Sequence, residues 1–365
     1  MTSSRAPQSA LPPYAFVQQG PFSGTNAALR AALDPALGRE SALIDTHDYR
    51  RIGRGSVLNV PLGNYPSHLR QYGRMARRDP STFIARRLET SYMYEHRSAV
   101  ARRAVRAIDA PFVVQTATMF DAKTDDRPLF MYTDHTMLAT HRYGRFAEDL
   151  RGRERWIELE RQTYHACELV FTTSEFARVS IIEDYGVPDE RVIVAGTGTN
   201  SAVPAEPTEH RAEPTQIAFI GKQWERKGGP ILVEAFEAVR RDHPELRLVV
   251  AGCSPEVDVP GVDVRGIITR EEVGALLRES DIFAMPSSVE PSAIVYSEAA
   301  AHSLPVLATS LGGTPERVLD GETGLLSPAA DAAALAENLR RLVEEPGLAT
   351  RLGAVSRRWL TGCPG

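Results

Sequence analysis

The chain has 365 residues, of which 42% are apolar and 24% charged, and its formal net charge is −5. That length exceeds one comfortable core and predicts two α/β domains of ordinary globular composition. No apolar run approaches the roughly 18 residues that span a bilayer, and the start MTSSRAPQSALPPYAF lacks the charged-then-apolar order of a signal peptide.

In chain order, Tyr14–Gln19 (YAFVQQ) reads as the first strand. The small-residue loop Gly20-Pro21-Phe22-Ser23-Gly24 follows, and Thr25 is expected to cap the helix NAALRAAL. Further strands are predicted at Ala42–Asp45, Phe112–Gln115, Leu129–Thr133, Leu169–Thr173 and Arg191–Val194, with helices over about 80–107 and 150–166. Residues 201–215, SAVPAEPTEHRAEPT, hold three prolines and no apolar period, and read as a linker between an N-terminal domain, 1–200, and a C-terminal domain, 216–365. Alternation then restarts: strand Gln216–Ile220, helix 229–241, strands Leu246–Ala251 and Val262–Arg265, helix 270–279, strand Asp281–Met285, helix 293–302 and strand Pro305–Ala308. Two helices, about 331–343 and 347–359, close the chain. Apolar runs alternating with helical periods are the pattern of parallel α/β layers.

Cys167, Cys253 and Cys363 are odd in number and far apart, which argues against a disulfide framework or a zinc site and predicts a reducing, cytoplasmic compartment. Charge is unevenly spread. Residues 1–200 carry 26 Lys+Arg against 23 Asp+Glu, and the remainder 16 against 24. Residues 70–106 alone hold ten arginines against three acids, a stretch that suits an anionic acceptor or a membrane surface, the plain alternative being a solvated helical face. Arginine outnumbers lysine 39 to 3, yet two of the three lysines, Lys222 and Lys227, lie five residues apart.

Those lysines belong to Phe219-Ile220-Gly221-Lys222-Gln223-Trp224-Glu225-Arg226-Lys227-Gly228-Gly229, where a buried strand ends at a glycine and a loop enters a helix. Gly221 lets the backbone approach a ligand, the helix start offers unpaired N–H groups, and two ammonium groups suit a diphosphate. The Walker order is absent, and no GxGxxG follows a predicted strand, which disfavours a dinucleotide dehydrogenase. A second constellation is Glu290-Pro291-Ser292-Ala293-Ile294-Val295-Tyr296-Ser297-Glu298. A carboxylate accepts two hydrogen bonds and so suits vicinal hydroxyls. Glu290, on the loop, is expected to grip a donor sugar, and Glu298, deeper in the helix, a ribose. The N–H groups of Ser292, Ala293 and Ile294 would face phosphate or sugar oxygens. Taken singly, a solvated loop and a surface acid are the bland readings.

In combination, GK-x4-KG after one strand, E-x7-E further along, and then PVLATSLGGTPERVLDGETGLLSP resemble the C-terminal domain of the GT4 glycosyltransferases. The run SEFARVSIIEDYGVPDERVIVAGTGTN (174–200) is similar to the end of that family's N-terminal domain. The resemblance covers residues 110–350 closely and 14–110 in outline. It implies the GT-B fold: two Rossmann-like α/β domains facing each other across a cleft. It also implies transfer of a hexose-type sugar from a UDP- or GDP-linked donor to a hydroxyl acceptor, with retention of configuration and neither a metal nor another cofactor required. By the same resemblance His135 stands near the donor sugar, and Gly20 and Gly24 occupy the first-loop position close to the phosphates; His135 and Glu290 are the expected catalytic pair.

Some residues depart from the family pattern. Lys222 stands where arginine is usual, Ala293 where glycine is common, and Pro21 interrupts the first-loop glycines. The last helix, which in the family usually crosses back over the N-terminal domain, ends here at Trp359-Leu360-Thr361-Gly362-Cys363-Pro364-Gly365. A nucleotide-sugar epimerase of the same fold and a non-catalytic GT-B partner protein are the alternatives. The expected partners are the nucleotide-sugar and an unidentified glycan, lipid-linked or small-molecule acceptor. No nucleic acid is expected, and residues 70–106 would give peripheral contact with the inner face of the membrane.

Overall fold

The computed structural model describes residues 11–20, 22–46, 56–57, 60–74, 76–77, 80–200 and 203–362; Pro21, Arg78 and Cys363 lie outside them. In chain order the elements are β1 (Tyr14–Gln18), α1 (Thr25–Leu37), β2 (Ser41–Asp45), the short antiparallel pair β3 (Ser56–Val57) and β4 (Val60–Pro61), α2 (Asn64–Tyr72), α3 (Pro80–Ala85), α4 (Ser91–Arg106), β5 (Val113–Thr116), β6 (Leu129–Thr133), α5 (Glu154–Ala166), β7 (Leu169–Thr172), α6 (Glu175–Glu183) and β8 (Val192–Val194). They continue with β9 (Gln216–Ile220), α7 (Gly229–Arg240), β10 (Arg247–Ala251), β11 (Val262–Gly266), α8 (Arg270–Glu279), β12 (Ile282–Ala284), α9 (Ile294–Ala301), β13 (Val306–Thr309), β14 (Gly324–Ser327), α10 (Ala332–Glu344) and α11 (Leu348–Gly362). The chain divides into two compact units: Met1–Thr140 with Glu148–Thr173 and Ala177–Ala195, and His141–Ala147 with Ser174–Phe176 and Gly196–Gly365.

The first unit is built on a parallel six-stranded sheet in the order β2-β1-β5-β6-β7-β8. In β1 the alternation of a strand is plain. Ala15 and Val17 join Val113, Leu129, Met131 and Val170 in the main core, while Tyr14 and Phe16 face the opposite way, toward Leu29 and Leu33 of α1. Thr25 does not cap α1 as expected. Gly24 holds the N-cap position in the left-handed region at φ 90°, with no side-chain cap. The helix expected over 80–107 is interrupted: α3 passes into a 3-10 turn at Arg86–Leu88, and α4 starts afresh where Thr90 Oγ1 accepts from the Met93 amide at 3.1 Å. A threonine that caps ends one helix and begins another, a local competition that helical periodicity does not register.

The second unit repeats the plan with the order β11-β10-β9-β12-β13-β14, again parallel. Its core is a single cluster running from Ile217, Phe219, Val249 and Phe283 to Leu335, Leu339 and Leu352. Strand β14 was not among the expected strands. Gly324 opens it because a Cβ there would lie 2.1 Å from the Val306 carbonyl oxygen, so close pairing with β13 demands glycine. Residues 203–215 have no regular structure but are tied to this unit. Asp281, 2% exposed, accepts from the Thr215 and Gln216 amides at 2.9 and 3.0 Å and pairs with Arg211 at 2.9 Å. Arg357 of α11 donates to the carbonyls of Pro204 and Ala301, both at 2.5 Å. In each sheet the winding reverses beside the first strand, between β1 and β5 and between β9 and β12, and the carboxyl ends flanking such a reversal are where open α/β sheets bind ligands.

Candidate functional site

In the second unit, β9 ends with the Gly221 amide donating to the Ala251 carbonyl at 2.9 Å, and the chain turns through 222–228 into α7. Gly228 sits at φ +78°, and a Cβ on it would lie 1.9 Å from the Pro286 carbonyl oxygen. Only glycine satisfies both conditions, so this turn presses against the segment that leaves β12. Two bonds fasten the contact: the Ser288 amide donates to the Arg226 carbonyl at 2.9 Å, and the Arg226 guanidinium to the Val289 carbonyl at 2.5 Å.

That juxtaposition brings together two of the predicted residues. Lys227 Nζ lies 2.5 Å from Glu290 Oε2, and Ser287 Oγ donates to the same oxygen at 3.2 Å. Glu290 is 3% exposed and the Lys227 side chain 15%. An ionised carboxylate so nearly removed from water is tenable only with a partner of this kind. Backbone contacts set the position of Glu290. Its carbonyl accepts from the Gly313 amide at 3.0 Å, and a Cβ on Gly312 would lie 2.1 Å from that carbonyl oxygen. Thr309 Oγ1, at the end of β13, donates to the Ser287 carbonyl at 2.6 Å. Ser287, Thr309, Gly312 and Gly313 were not among the expected site residues; the Gly-Gly of LATSLGGTPE was the signal that could have found the last two.

The remaining predicted residues of this unit lie on the same two loops and on α9. The Lys227 stem lies over Gly221, 3.1 Å from where a Cβ would stand. Ala293 is the N-cap of α9 and gives no side-chain cap, so Ile294 opens the helix with its first-turn amides lacking a side-chain acceptor. Ser292 Oγ is buried with no hydrogen-bond partner among the described residues, a donor available to a polar ligand. Tyr296 OH donates to the Met285 carbonyl at 2.9 Å and fixes α9 to the end of β12. Glu298 is half-buried on the same helix, whereas Lys222 is exposed and joins neither Lys227 nor Glu290. The arrangement provides an ammonium group that suits phosphate, carboxylates that suit hydroxyls, and an uncapped helix start.

In the first unit, Gly20, Gly24 and His135 all lie past the carboxyl ends of their strands. Gly20, at φ +63°, donates its amide to Asp45 Oδ1 at 3.0 Å and accepts from Asn26 Nδ2 at 2.7 Å. His135 is half-buried, two residues beyond β6, and its carbonyl accepts from Thr133 Oγ1 at 3.1 Å. Two amides just beyond it are anchored: Met137 donates to Glu160 Oε2 at 3.0 Å and Leu138 to Tyr185 OH at 3.1 Å. Glu160 is 2% exposed, and burial pushes its carboxyl up to about 7, although hydrogen bonds from Tyr185, Thr118 and the Met137 amide oppose the shift. A lone acid inside a helical pattern carries no sequence signal of that role.

The basic stretch 70–106 does not form one face. Arg97 is fully buried and donates to the Leu88 carbonyl at 2.8 Å, Arg86 pairs with Glu89 and Glu148, and Arg102 pairs with Asp121 at 2.9 Å. Arg70, Arg74, Arg77, Arg103 and Arg106 are exposed. Among the described residues no cluster of three or more His, Cys, Asp or Glu is arranged to hold a metal ion, and no helix is long and apolar enough to cross a membrane.

Two family models match the chain: Glycosyltransferase Family 4 over residues 60–203 and Glycosyl transferases group 1 over residues 214–345. Glycogen synthase of Mycobacterium tuberculosis is 26% identical over 230 residues, 60% of this chain and 54% of that one. The GDP-mannose-dependent alpha-(1-6)-phosphatidylinositol monomannoside mannosyltransferase of Mycolicibacterium smegmatis is 34% identical over 161 residues, 39% of this chain and 42% of that one. The chain thus spans about half the length of the curated relatives it matches. Among solved structures, sucrose-phosphate synthase from Thermosynechococcus elongatus superposes with a TM-score of 0.69 at 16% identity, covering 96% of this chain and 94% of that one. Anabaena HepE in complex with UDP and glucose gives 0.61 at 15% identity, covering 96% and 95%. With its two sheets of GT-B type and a family model matched on each half, the chain belongs to the GT4 glycosyltransferase family.

Proposed function

We propose that the protein is a glycosyltransferase that moves a sugar from a UDP- or GDP-linked donor to a hydroxyl acceptor. The observation that carries this reading is the buried Lys227–Glu290 pair, held where the winding of the second sheet reverses. A diphosphate entering there would take over the ammonium group, and the freed carboxylate would accept hydrogen bonds from sugar hydroxyls. Lys222 would add a second positive charge from the loop, Glu298 would hold the ribose, and the N–H groups of Ser292, Ala293 and Ile294 would meet phosphate or sugar oxygens. Gly221 lets the backbone come close. The relatives lend support, since one carries GDP-mannose in its name and a similar structure holds UDP and glucose.

In this reading the lysines do the charge neutralisation a cation would otherwise do, and the reaction retains anomeric configuration without a metal. The protein's share is positioning and electrostatic stabilisation of the leaving group. A thermal-shift panel of nucleoside diphosphates and nucleotide-sugars tests it. A ligand of the native state present at about 100 times its Kd stabilises by about 2.7 kcal/mol and raises Tm. A panel in which none of them moves Tm would sink the reading, and loss of transfer on adding EDTA would sink its metal-free part.

A further inference from the structure

Glu160, on α5, is 2% exposed and forms no ion pair with a described residue. Hydrogen-bond donors satisfy it instead. Thr118 Oγ1 donates to Oε1 at 2.7 Å, and Tyr164 OH reaches the same oxygen at 3.4 Å. The Met137 amide donates to Oε2 at 3.0 Å, and Tyr185 OH donates to Oε2 as well. A carboxylate buried without a counter-ion carries a desolvation penalty that an apolar side chain of the same size avoids. What the acid supplies is two acceptor oxygens, each aimed at a different segment of the chain.

Thr118 stands in the loop past β5 and Met137 in the loop past β6, and these two strands pair from Val113↔Leu129 to Thr116↔Tyr132. The first sheet reverses its winding beside β5, so both loops lie at the edge where such sheets take ligands. Each loop is also held from a second side. Gln115, fully buried, donates to the Ala117 and Phe120 carbonyls at 2.9 and 2.8 Å and accepts from the Ala122 amide at 2.9 Å. Ala117 itself is left-handed at φ +62°, a conformation that an alanine keeps only where its surroundings enforce it. Past β6, Tyr185 OH accepts from the Leu138 amide at 3.1 Å while donating to Glu160, and Thr136 Oγ1 accepts from the Ala139 amide at 2.9 Å. Of these side chains Glu160 alone bonds to both loops.

We propose that Glu160 is a positioning residue, which ties the loop past β5 to the loop past β6 so that turnover of the nucleotide-sugar depends on it. Buried as it is, it touches no substrate and acts through Thr118 and through the Met137 amide, two residues from His135. The dependence of turnover rests on the transferase reading above, whereas the tie between the loops does not. Side-chain chemistry separates this role from space-filling. Glutamine keeps both bonds, its oxygen accepting from the Met137 amide and its NH2 donating to Thr118 Oγ1, since a hydroxyl also accepts. Leucine keeps the volume and neither bond.

Amide hydrogen exchange of the full chain reads the tie directly. In Glu160→Leu the amides of residues 117–122 and 134–138 should exchange about tenfold faster or more, and in Glu160→Gln at close to the parent rate. Thr118→Val and Tyr185→Phe each cut one arm and take over if Glu160→Leu does not fold; the first should quicken exchange in 117–122 alone, the second in 134–138 alone. Release of UDP from UDP-glucose and of GDP from GDP-mannose, with water as the acceptor, reads turnover. The kcat of Glu160→Leu should fall about tenfold or more with KM near that of the parent, and Glu160→Gln should restore it. The Tm shift given by UDP or GDP, held in the proposed site of the second unit, should stay that of the parent. Unchanged exchange in either loop of Glu160→Leu overturns the proposal, as does quickened exchange with kcat unchanged. Glu160→Gln as impaired as Glu160→Leu overturns it too. A parent chain that releases neither nucleotide and gains no Tm from either sinks the transferase reading alone, and exchange still decides whether Glu160 ties the loops.

Discussion

Lys227 and Glu290 meet at 2.5 Å across 63 positions of sequence, one on the loop that leaves β9 and the other on the loop that leaves β12. The contact lies past the carboxyl ends of β9 and β12, the paired strands beside which the second sheet reverses its winding, and it joins the buried Glu290 to the less exposed of the two lysines on the facing loop. Each partner therefore supports the other's charge, and a ligand that separates them must replace what each loses.

The two lysines should respond differently to removal. Lys227→Ala leaves Glu290 buried without its counter-ion and should cost about 3 kcal/mol of stability. Lys222→Ala, at an exposed position, should change stability by less than about 0.5 kcal/mol. In the proposed site each should weaken nucleoside-diphosphate binding by about 1.5–3 kcal/mol. Urea unfolding and calorimetric titration separate the two effects. Unchanged affinity in both variants would remove this loop from the site.

Between the two glutamates, Glu298→Ala should weaken free nucleoside diphosphate and intact donor alike, because both carry the ribose. Glu290→Ala should selectively weaken the sugar-bearing donor, by about 1.5–3 kcal/mol for one or two hydrogen bonds to a charged group. The pairing with Lys227 sharpens the contrast, since Glu290→Ala also frees that ammonium group for phosphate. Equal losses for diphosphate and donor in Glu290→Ala would refute the division of labour.

Gly228 and Gly321 have almost the same backbone, φ +78° and +76°, but only Gly228 is crowded. Gly321→Ala should cost about 1 kcal/mol, the strain of a left-handed alanine with open space around it. Gly228→Ala must also push the Pro286 carbonyl aside and should cost more than about 3 kcal/mol. It should weaken nucleoside-diphosphate binding in the material that still folds, because the Lys227 loop can no longer close on Glu290. Similar melting temperatures for the two variants would contradict the packing described.

The pH dependence of the first unit follows from Glu160. Burial raises its carboxyl to about 7, so the folded state holds the proton more tightly than the unfolded chain does. Stability from this group is therefore greatest below the unfolded value and declines as pH rises through about 7, by about 3 kcal/mol in all. Glu160→Gln has no proton to lose. The stability of the parent chain relative to this variant should fall between about pH 5 and pH 8. Parallel melting curves for the two across that range would show that Glu160 titrates normally.

Residue patterning alone locates most strands and singles out the residues whose chemistry suits a nucleotide-sugar. The apolar runs YAFV, Gln216–Ile220 and Leu129–Thr133, each bounded by turn residues, report burial along the chain, so these strands appear within a residue or so of their positions. The spacing of Lys222, Lys227, Glu290 and Glu298 was likewise readable from residue types alone. Packing between distant segments settles that Lys227 and not Lys222 pairs with Glu290, that β14 needs Gly324 against Val306, and that Glu160 anchors the loop beyond His135. It also decided that α2 turns Asn64, His68 and Tyr72 inward and its leucine outward, against the reading that hydrophobicity suggests. The reason is the same in each case. Periodicity records how one element meets solvent, whereas the partner of a polar group is fixed by which distant segment the sheet order brings within hydrogen-bond reach.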